Sequence, residues 1–199
     1  MIDFIPVRQT VCFGGNNKTP SNEIKRLRPI IIDDQNVAVE HGKENSILPV
    51  LGSTGYDWKK KFSARGIQIC VEYFKKRGHD TIVAWLPKRP KGINDFMENR
   101  NILEQLRNEG NLKETMVKKV STGEFISSYD DRTIVQDAAT VKGIIVSNDQ
   151  YHDLVHENND FREAIDERIL NFNFRKDVFH PYPDPLGRRG PKLDKFLEF

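Results

Sequence analysis

A chain of 199 residues has room for one α/β-sized domain with extensions, and two full domains would each be short of a core. With 37% hydrophobic and 30% charged residues there is apolar material for a core beneath a charged surface, which excludes wholesale disorder. Its 31 basic and 29 acidic side chains leave a formal charge of +2, so a nucleic-acid partner has to be held by a local basic patch rather than by the field of the whole protein. Two cysteines, Cys12 and Cys70, supply neither a disulfide framework nor a Cys-rich zinc site, and aliphatic runs such as Ile30–Ile32 fall far short of a membrane span. The expectation is a soluble protein of a reducing compartment.

Residues 1–27 are polar and turn-rich and read as an arm, with Ile5, Val7 and Phe13 able to dock on a body. From Arg28 onward a single domain, 28–199, is expected. Ile30–Ile32 is a β-branched run suited to a strand buried on both faces, closed by Asp33 and Asp34. Residues 43–61 lose all periodicity and read as an inserted loop. Ser63 then caps a helix that carries Ile67, Val71 and Phe74 on one side and ends at Gly78. Thr81–Leu86 is the second strand.

Ile102, Leu103 and Leu106 mark a helix over 95–108, Leu112–Val117 a short strand, and Phe125–Tyr129 an extended piece after Gly123. A helix over 131–141 presents Ile134, Val135, Ala138 and Val141 inward, and Gly143 breaks it before the strand Ile144–Val146. Two helices are expected next, one directly after Asp149 and one over 160–168, then extended segments over 170–179 and a terminal helix over 193–197. Strand and helix in alternation predict an α/β fold of three layers, α/β/α, around a central parallel sheet.

Ligands of such sheets bind beyond the carboxyl ends of the strands. Asp33 and Asp149 close two strands there, and Asp130 and Asp131 open the helix feeding the second. Asp149 and Asp153, four apart on the expected helix, share a face. Crowded carboxylates repel and drift toward protonation unless a cation joins them, and a hard divalent ion such as Mg2+ suits oxygen donors and phosphodiester chemistry. Taken singly, Asp131 and Asp149 are ordinary helix caps and Asp153 a surface acid; it is their joint placement that favours a site. Asn36 is a phosphate-orienting or water-orienting amide, or else a turn residue.

These residues also carry a resemblance. The segments Arg28–Ala38, Tyr129–Arg132 and Gly143–Leu154, with Arg65-Gly66-Ile67 and the run from Phe179 to Leu197, closely resemble the NYN (PIN-like) ribonuclease domain of the Regnase, or MCPIP-like, proteins. The resemblance implies a Mg2+-dependent (or Mn2+-dependent) endoribonuclease acting on single-stranded or loop regions of RNA, in mRNA decay or RNA silencing. Its catalytic positions carry over to Asp33, Asn36, Asp130, Asp131, Asp149 and Asp153, with Asp33, Asp131 and Asp149 nearest the metal and Arg65 on the RNA path. It further implies a homodimer; a protein partner that supplies RNA targeting is expected as well, and the reducing compartment is expected to be the cytoplasm, including cytosolic RNA granules, or the nucleus.

Three departures stand out. The family's Asp-Gly-Ser-Asn reads Asp33-Asp34-Gln35-Asn36 here, which adds a carboxylate at a position where a positive φ would favour glycine. The loop after Gly42 is long, and two cysteines cannot build the CCCH finger that accompanies the family's nuclease domain. The alternative is therefore a catalytically weakened domain that binds RNA or protein. A phosphotransferase using Asp33 as phosphoacceptor is disfavoured because Gln35 stands where a second aspartate is needed.

Basic and aromatic clusters at Tyr56, Trp58 and Lys59–Lys61, at Lys88, Arg89 and Lys91, and at Arg188, Arg189 and Lys192 are either phosphate contacts or solvated surface. Arg132 is placed to neutralise the acidic pair as a structural salt bridge, His41 and His152 read as surface or turn residues, and Cys70 as core.

Overall fold

The computed structural model describes residues 26–44, 62–87, 100–115, 117–119, 125–127 and 130–199. The expected arm up to residue 25, loop residues 45–61 and the cluster Lys88–Lys91 lie outside them. In chain order the elements are β1 (Ile30–Asp33), α1 (Asp34–Glu44), α2 (Ala64–Lys76), β2 (Ile82–Pro87), α3 (Arg100–Asn108), β3 (Leu112–Thr115), β4 (Val117–Lys119), β5 (Phe125–Ser127), α4 (Asp130–Val141), β6 (Ile144–Val146), α5 (Asn159–Arg168), β7 (Ile169–Leu170), β8 (Phe172–Arg175), β9 (Val178–Pro181) and α6 (Leu193–Phe196).

Five strands form the central sheet in the order β3-β2-β1-β6-β7, every pairing parallel. Strand β1 lies in the middle, and its three isoleucines are at most 1% exposed because both faces are covered. Strand alternation divides them: Ile30 and Ile32 pack with Val37, Ile67 and Phe74 of α1 and α2, while Ile31 packs with Ile134, Ala138 and Phe161 of α4 and α5. The expected three layers follow. The antiparallel pairs β4–β5 and β8–β9 stand outside the central sheet, and Phe172, Phe174 and Phe179 of the second join the α1/α2 core.

Several local signals act as read. Gly78 has φ +87°, its N–H reaches Lys75 O at 3.0 Å, and the His79 N–H reaches Phe74 O at 3.2 Å, the paired closure of a Schellman end. Ser63 occupies the cap position of α2 but leaves the helix uncapped by its side chain, because its hydroxyl is 2.8 Å from His41 Nδ1. At Gly66 the two helices touch: a Cβ there would lie 2.5 Å from the Cβ of His41, so only glycine admits the α1 backbone at this distance.

Two expectations change. Helix α1 begins directly after β1, where only a strand end was read; its buried side chains Val37, Ala38 and His41 have helical spacing, but a histidine stands in the stripe. No helix follows Asp149. Residues 152–157 form turns after Tyr151, whose φ of +47° is left-handed and turns the chain out of helical geometry. Leu27 bridges Glu198 and the Phe199 N–H donates to Arg26 O at 3.0 Å, tying the start of the described body to its end.

His79 exerts a pH constraint on this fold. It is 4% exposed, its Nδ1–H donates to Arg28 O at 2.8 Å, and its Nε2 has no hydrogen-bond partner among the described residues. A proton on Nε2 would be buried and unpaired, so burial lowers the imidazole below its usual value of 6.5. The unfolded chain then takes up more protons than the folded one as pH falls through 6.5, and stability is lost in that direction. The urea midpoint is expected to drop between pH 7.5 and pH 5.5, about one unit either side, and His79→Gln, which retains a donor for Arg28 O, to flatten that dependence; equal slopes for the two proteins would contradict the assignment.

Candidate active site

Asp33 ends β1 at the carboxyl edge of the sheet and is also the residue before α1. Its Oδ1 accepts the Asn36 backbone N–H at 3.0 Å, the bond by which an aspartate caps a helix. Its Oδ2 accepts the Ser147 hydroxyl at 2.8 Å and the Tyr151 hydroxyl at 3.1 Å, both from the segment that follows β6. Three donors therefore converge on a carboxylate that is 7% exposed. Burial raises its pKa above the usual 3.8, the charge of Asp149 pushes the same way, and the three hydrogen bonds oppose them. Tyr151, 1% exposed, is itself pushed well above 10 by burial and by the charges of Asp33 and Asp131.

The segment after β6 is tied down at Ser147, Asn148, Asp149 and Tyr151. Ser147 Oγ accepts the Asp149 N–H at 3.0 Å while donating to Asp33. Asp149 Oδ1 accepts the Tyr151 N–H at 2.9 Å, an Asx turn that accommodates the left-handed Tyr151 and plunges its ring into the core against Ile134 and Leu154. The Asn148 N–H donates to Asn36 Oδ1 at 3.1 Å, and its side chain exchanges two bonds with the backbone of Phe172, at 3.1 and 3.0 Å. Strand ends β1 and β6 are thereby locked to α1 and β8.

An open cleft of about 560 Å³ lies on this edge, and Asp33, Asp34, Asn36, Trp85, Asp131 and Asp149 are among its walls. Four of the expected site residues, Asp33, Asn36, Asp131 and Asp149, are thus brought together. Asp130 opens α4 beside them, its side chain outside the described part of the molecule. Asp153 does not line the cleft: without a helix after Asp149, it is exposed in the turn region, and its expected face-sharing with Asp149 does not arise.

Arg65 is also outside the cleft, on α2, bonded to Gln68 at 2.9 Å and 3.8 Å from Asp177. Arg132, expected beside the acidic pair, is paired with Glu157 and lies over the Phe161 ring. His41, expected at the surface, is 3% exposed between Ser63 and Asp177.

Asp34 occupies the position where the family reads glycine, and it is an ordinary first helical residue; among the described residues the positive-φ non-glycine ones are Lys142, Tyr151 and Lys176. No left-handed backbone is needed there, so the substitution adds a buried carboxylate without backbone strain. Ser147, Tyr151 and Trp85 are functional candidates that sequence reasoning passed over. The sequence signal for Tyr151 was present in the spacing Asp149-x-Tyr151, an Asx turn that sends an aromatic inward.

The donor set of the cleft is oxygen only, which fits a hard divalent ion. Among the described residues no three acidic, histidine or cysteine side chains close around a point as an all-protein cage. Magnesium does not require one: it keeps several waters and takes one or two carboxylates together with substrate phosphate. Asp33 has three of roughly four lone-pair sites engaged, which leaves it one oxygen direction for such an ion or its water.

The chain as a whole is similar to known proteins. The chain is 33% identical over 202 residues to endoribonuclease rege-1 of Caenorhabditis elegans, an alignment that covers 96% of this chain and 29% of that protein. It thus spans less than a third of that relative's length. Two structures of Arabidopsis thaliana nuclear protein-only RNase P 2 superpose with TM-scores of 0.53 at 18% and 17% identity, covering 78% and 80% of this chain and 29% and 31% of theirs, which establishes a shared fold. A family model described as the Zc3h12a-like ribonuclease NYN domain matches residues 26–195, nearly all of the described body together with the segments between its parts, and the chain belongs to that family.

Proposed function

We propose that the cleft is the active site of a divalent-metal-dependent endoribonuclease that cuts single-stranded or loop regions of RNA. The observation that carries this reading is the buried Asp33 carboxylate, fixed by three donors in a cleft it shares with Asp131 and Asp149. A structural carboxylate at a strand end has no need of two further acids in an open cleft, whereas a hydrolase acting on a polyanion needs a cation to enter there.

Asp33, Asp131 and Asp149 would hold the ion, directly or through its waters, and the ion when bound supplies charge compensation for the phosphate and acidifies water. Asp33 acts as the fixed point: the Ser147 and Tyr151 hydroxyls and the Asn36 N–H set the direction of its oxygens before substrate arrives, so no reorientation is required in the reaction. Asp149 Oδ1 is occupied by the Tyr151 N–H, which leaves Oδ2 to orient the attacking water and receive its proton. Asn36 holds the Asn148 backbone through Oδ1, so its Nδ2 is the end able to donate to a phosphate oxygen.

In this reading the substrate is mRNA or an RNA of a silencing pathway in the cytoplasm, and Arg65, half-exposed on α2, meets the strand outside the cleft. A second copy of the chain or a protein partner completes RNA targeting. Asp130 belongs to the same acidic group by its place at the start of α4. No helix among the described residues is long and apolar enough to cross a membrane.

Asp33→Asn and Asp149→Asn are each expected to lower cleavage of a labelled single-stranded RNA by roughly a hundredfold or more, the scale for removal of one transition-state-stabilising group. Chelation with EDTA should do the same and added Mg2+ restore the rate. Asp33→Asn also removes a buried charge, so its thermal midpoint should equal or exceed that of the unaltered chain at pH near 7. Full cleavage by either variant, or cleavage in EDTA, would reject the site. RNA binding without cleavage at any divalent concentration would instead leave a binding module.

Tyr151→Phe keeps the ring in the core and deletes one donor to Asp33. A hydrogen bond to a charged group contributes about 1.5–3 kcal/mol, so cleavage is expected to fall by roughly tenfold or more while folding persists. An unchanged rate, measured alongside circular dichroism, would remove Tyr151 from the catalytic machinery.

A further inference from the structure

Register carries the site sideways across the sheet. Asp33 pairs with Trp85, and Trp85 pairs with Lys113, so three side chains from β1, β2 and β3 stand in one line perpendicular to the strands. All three are on the α4 side of the sheet, the face of Ile31 and Val83. At two strand spacings, Lys113 is roughly 10 Å from Asp33. The line thus runs from acid to aromatic to cation, starting at the catalytic floor.

Trp85 is held in place along this line. Its Nε1–H donates to Asp137 Oδ2 at 2.9 Å, and Lys113 Nζ lies 5.3 Å from the centroid of its ring. Lys113 has no acidic partner among the described residues, since the adjacent Glu114 is paired with Arg107. Trp85 is also the one residue common to the catalytic cleft and to a second groove of about 340 Å³ along α4, whose walls include Thr133, Gln136, Asp137 and Thr140. That volume is within the range of small-ligand sites, and its walls are polar side chains around an aromatic edge.

We propose that the substrate strand leaves the catalytic cleft over Trp85, with the base next to the scissile phosphate lodged against the indole in the α4 groove and the following phosphate meeting Lys113. The proposal rests on the catalytic reading above and specifies its substrate: a base can enter the groove only when it is unpaired, so the track selects single-stranded RNA. Electrostatics favour such a track. The cleft floor repels phosphate, and a neighbouring aromatic and cation supply the grip that the floor lacks. Asp137 is a positioning residue here, holding the indole by its N–H.

The test uses the full chain with Mg2+ and two readouts. In the first, a short single-stranded RNA is titrated onto the Asp149→Asn protein, and tryptophan fluorescence is followed beside anisotropy of the labelled RNA. Quenching that tracks binding and is lost in the Trp85→Phe partner protein is expected; RNA bound with no quenching attributable to Trp85 overturns the track. In the second, steady-state cleavage by the otherwise unaltered chain is measured. Trp85→Ala is expected to raise KM about tenfold, the scale of one stacked base, with the larger part of the loss in KM rather than kcat. Lys113→Ala should reduce the salt slope of binding by about one, and Asp137→Ala should mimic a mild Trp85 defect that Asp137→Asn, which keeps an acceptor, rescues. Unchanged KM in Trp85→Ala and Lys113→Ala proteins that still cleave, or equal affinity for duplex RNA, overturns the proposal and leaves the catalytic reading standing. Absence of cleavage in the unaltered chain rejects that reading, and the fluorescence titration still decides the track.

Discussion

The buried Asp33 carboxylate joins two parts of the chain that are far apart in sequence, the β1–α1 junction and the segment after β6. It ends the central strand, caps α1 through the Asn36 N–H, and takes hydroxyl donors from Ser147 and Tyr151, which are 114 and 118 residues away. A charge this deeply withdrawn from water costs several kcal/mol unless donors replace its hydration. Three donors offset part of that cost, and the raised pKa shows that the offset is incomplete, with burial as its main cause and the Asp149 charge adding to it. The fold therefore holds two acids, Asp33 and Asp149, close enough at this edge for one charge to act on the other. In the proposed function, a cation entering the open cleft would relieve this repulsion.

Much of this was legible from residue patterns, and the reasons divide cleanly. The β-branched triplets Ile30–Ile32 and Ile144–Val146 specify buried parallel strands because neither contains a polar residue to face water, and parallel topology then sends Asp33 and Asp149 to a common edge. Gly78 and Gly110 end their helices through local geometry that needs no tertiary context; both have positive φ. Helix α1 was not legible because its inward stripe includes His41, and what makes a histidine acceptable there arrives from elsewhere: Ser63 from 22 residues away and Asp177 from 136. Asp153 misled for a related reason. The helix expected after Asp149 is cut off by the Asx turn to Tyr151, and an aspartate at a strand end can serve that turn as readily as it can cap a helix. Helix propensity read two carboxylates onto one face, while the burial of the Tyr151 ring fixed the backbone otherwise.

The site residues that pattern reading passed over share a property. Ser147 and Tyr151 are silent in composition and periodicity because their roles are to donate to Asp33, a contact created only when β1 and β6 lie side by side. Asp34 shows the converse. As a departure from the family's glycine it looked like backbone trouble, yet it takes the first helical position of α1, where an acid is favoured by the helix dipole. Its effect is to be sought in the charge of the cleft wall rather than in the conformation of the turn.

Charge of one sign cannot both summon a cation and hold a polyanion, and in the proposed reading those tasks fall to different strands. Acids come from the ends of β1 and β6 and from the start of α4, where backbone topology converges. Lys113 comes from β3 at the sheet edge, where a long side chain keeps its charge in water, and Trp85 on β2 stands between the two with its polar atom already engaged by Asp137. Because these positions are linked by parallel register, a shift of one residue in β2 would send Trp85 to the opposite face and break the line, although the core would still be apolar. The alignment of Ile30 with Ile82 and of Ala84 with Leu112, which looks like core packing alone, therefore also sets the spacing between the cleft acids and the Trp85–Lys113 pair proposed to hold the strand.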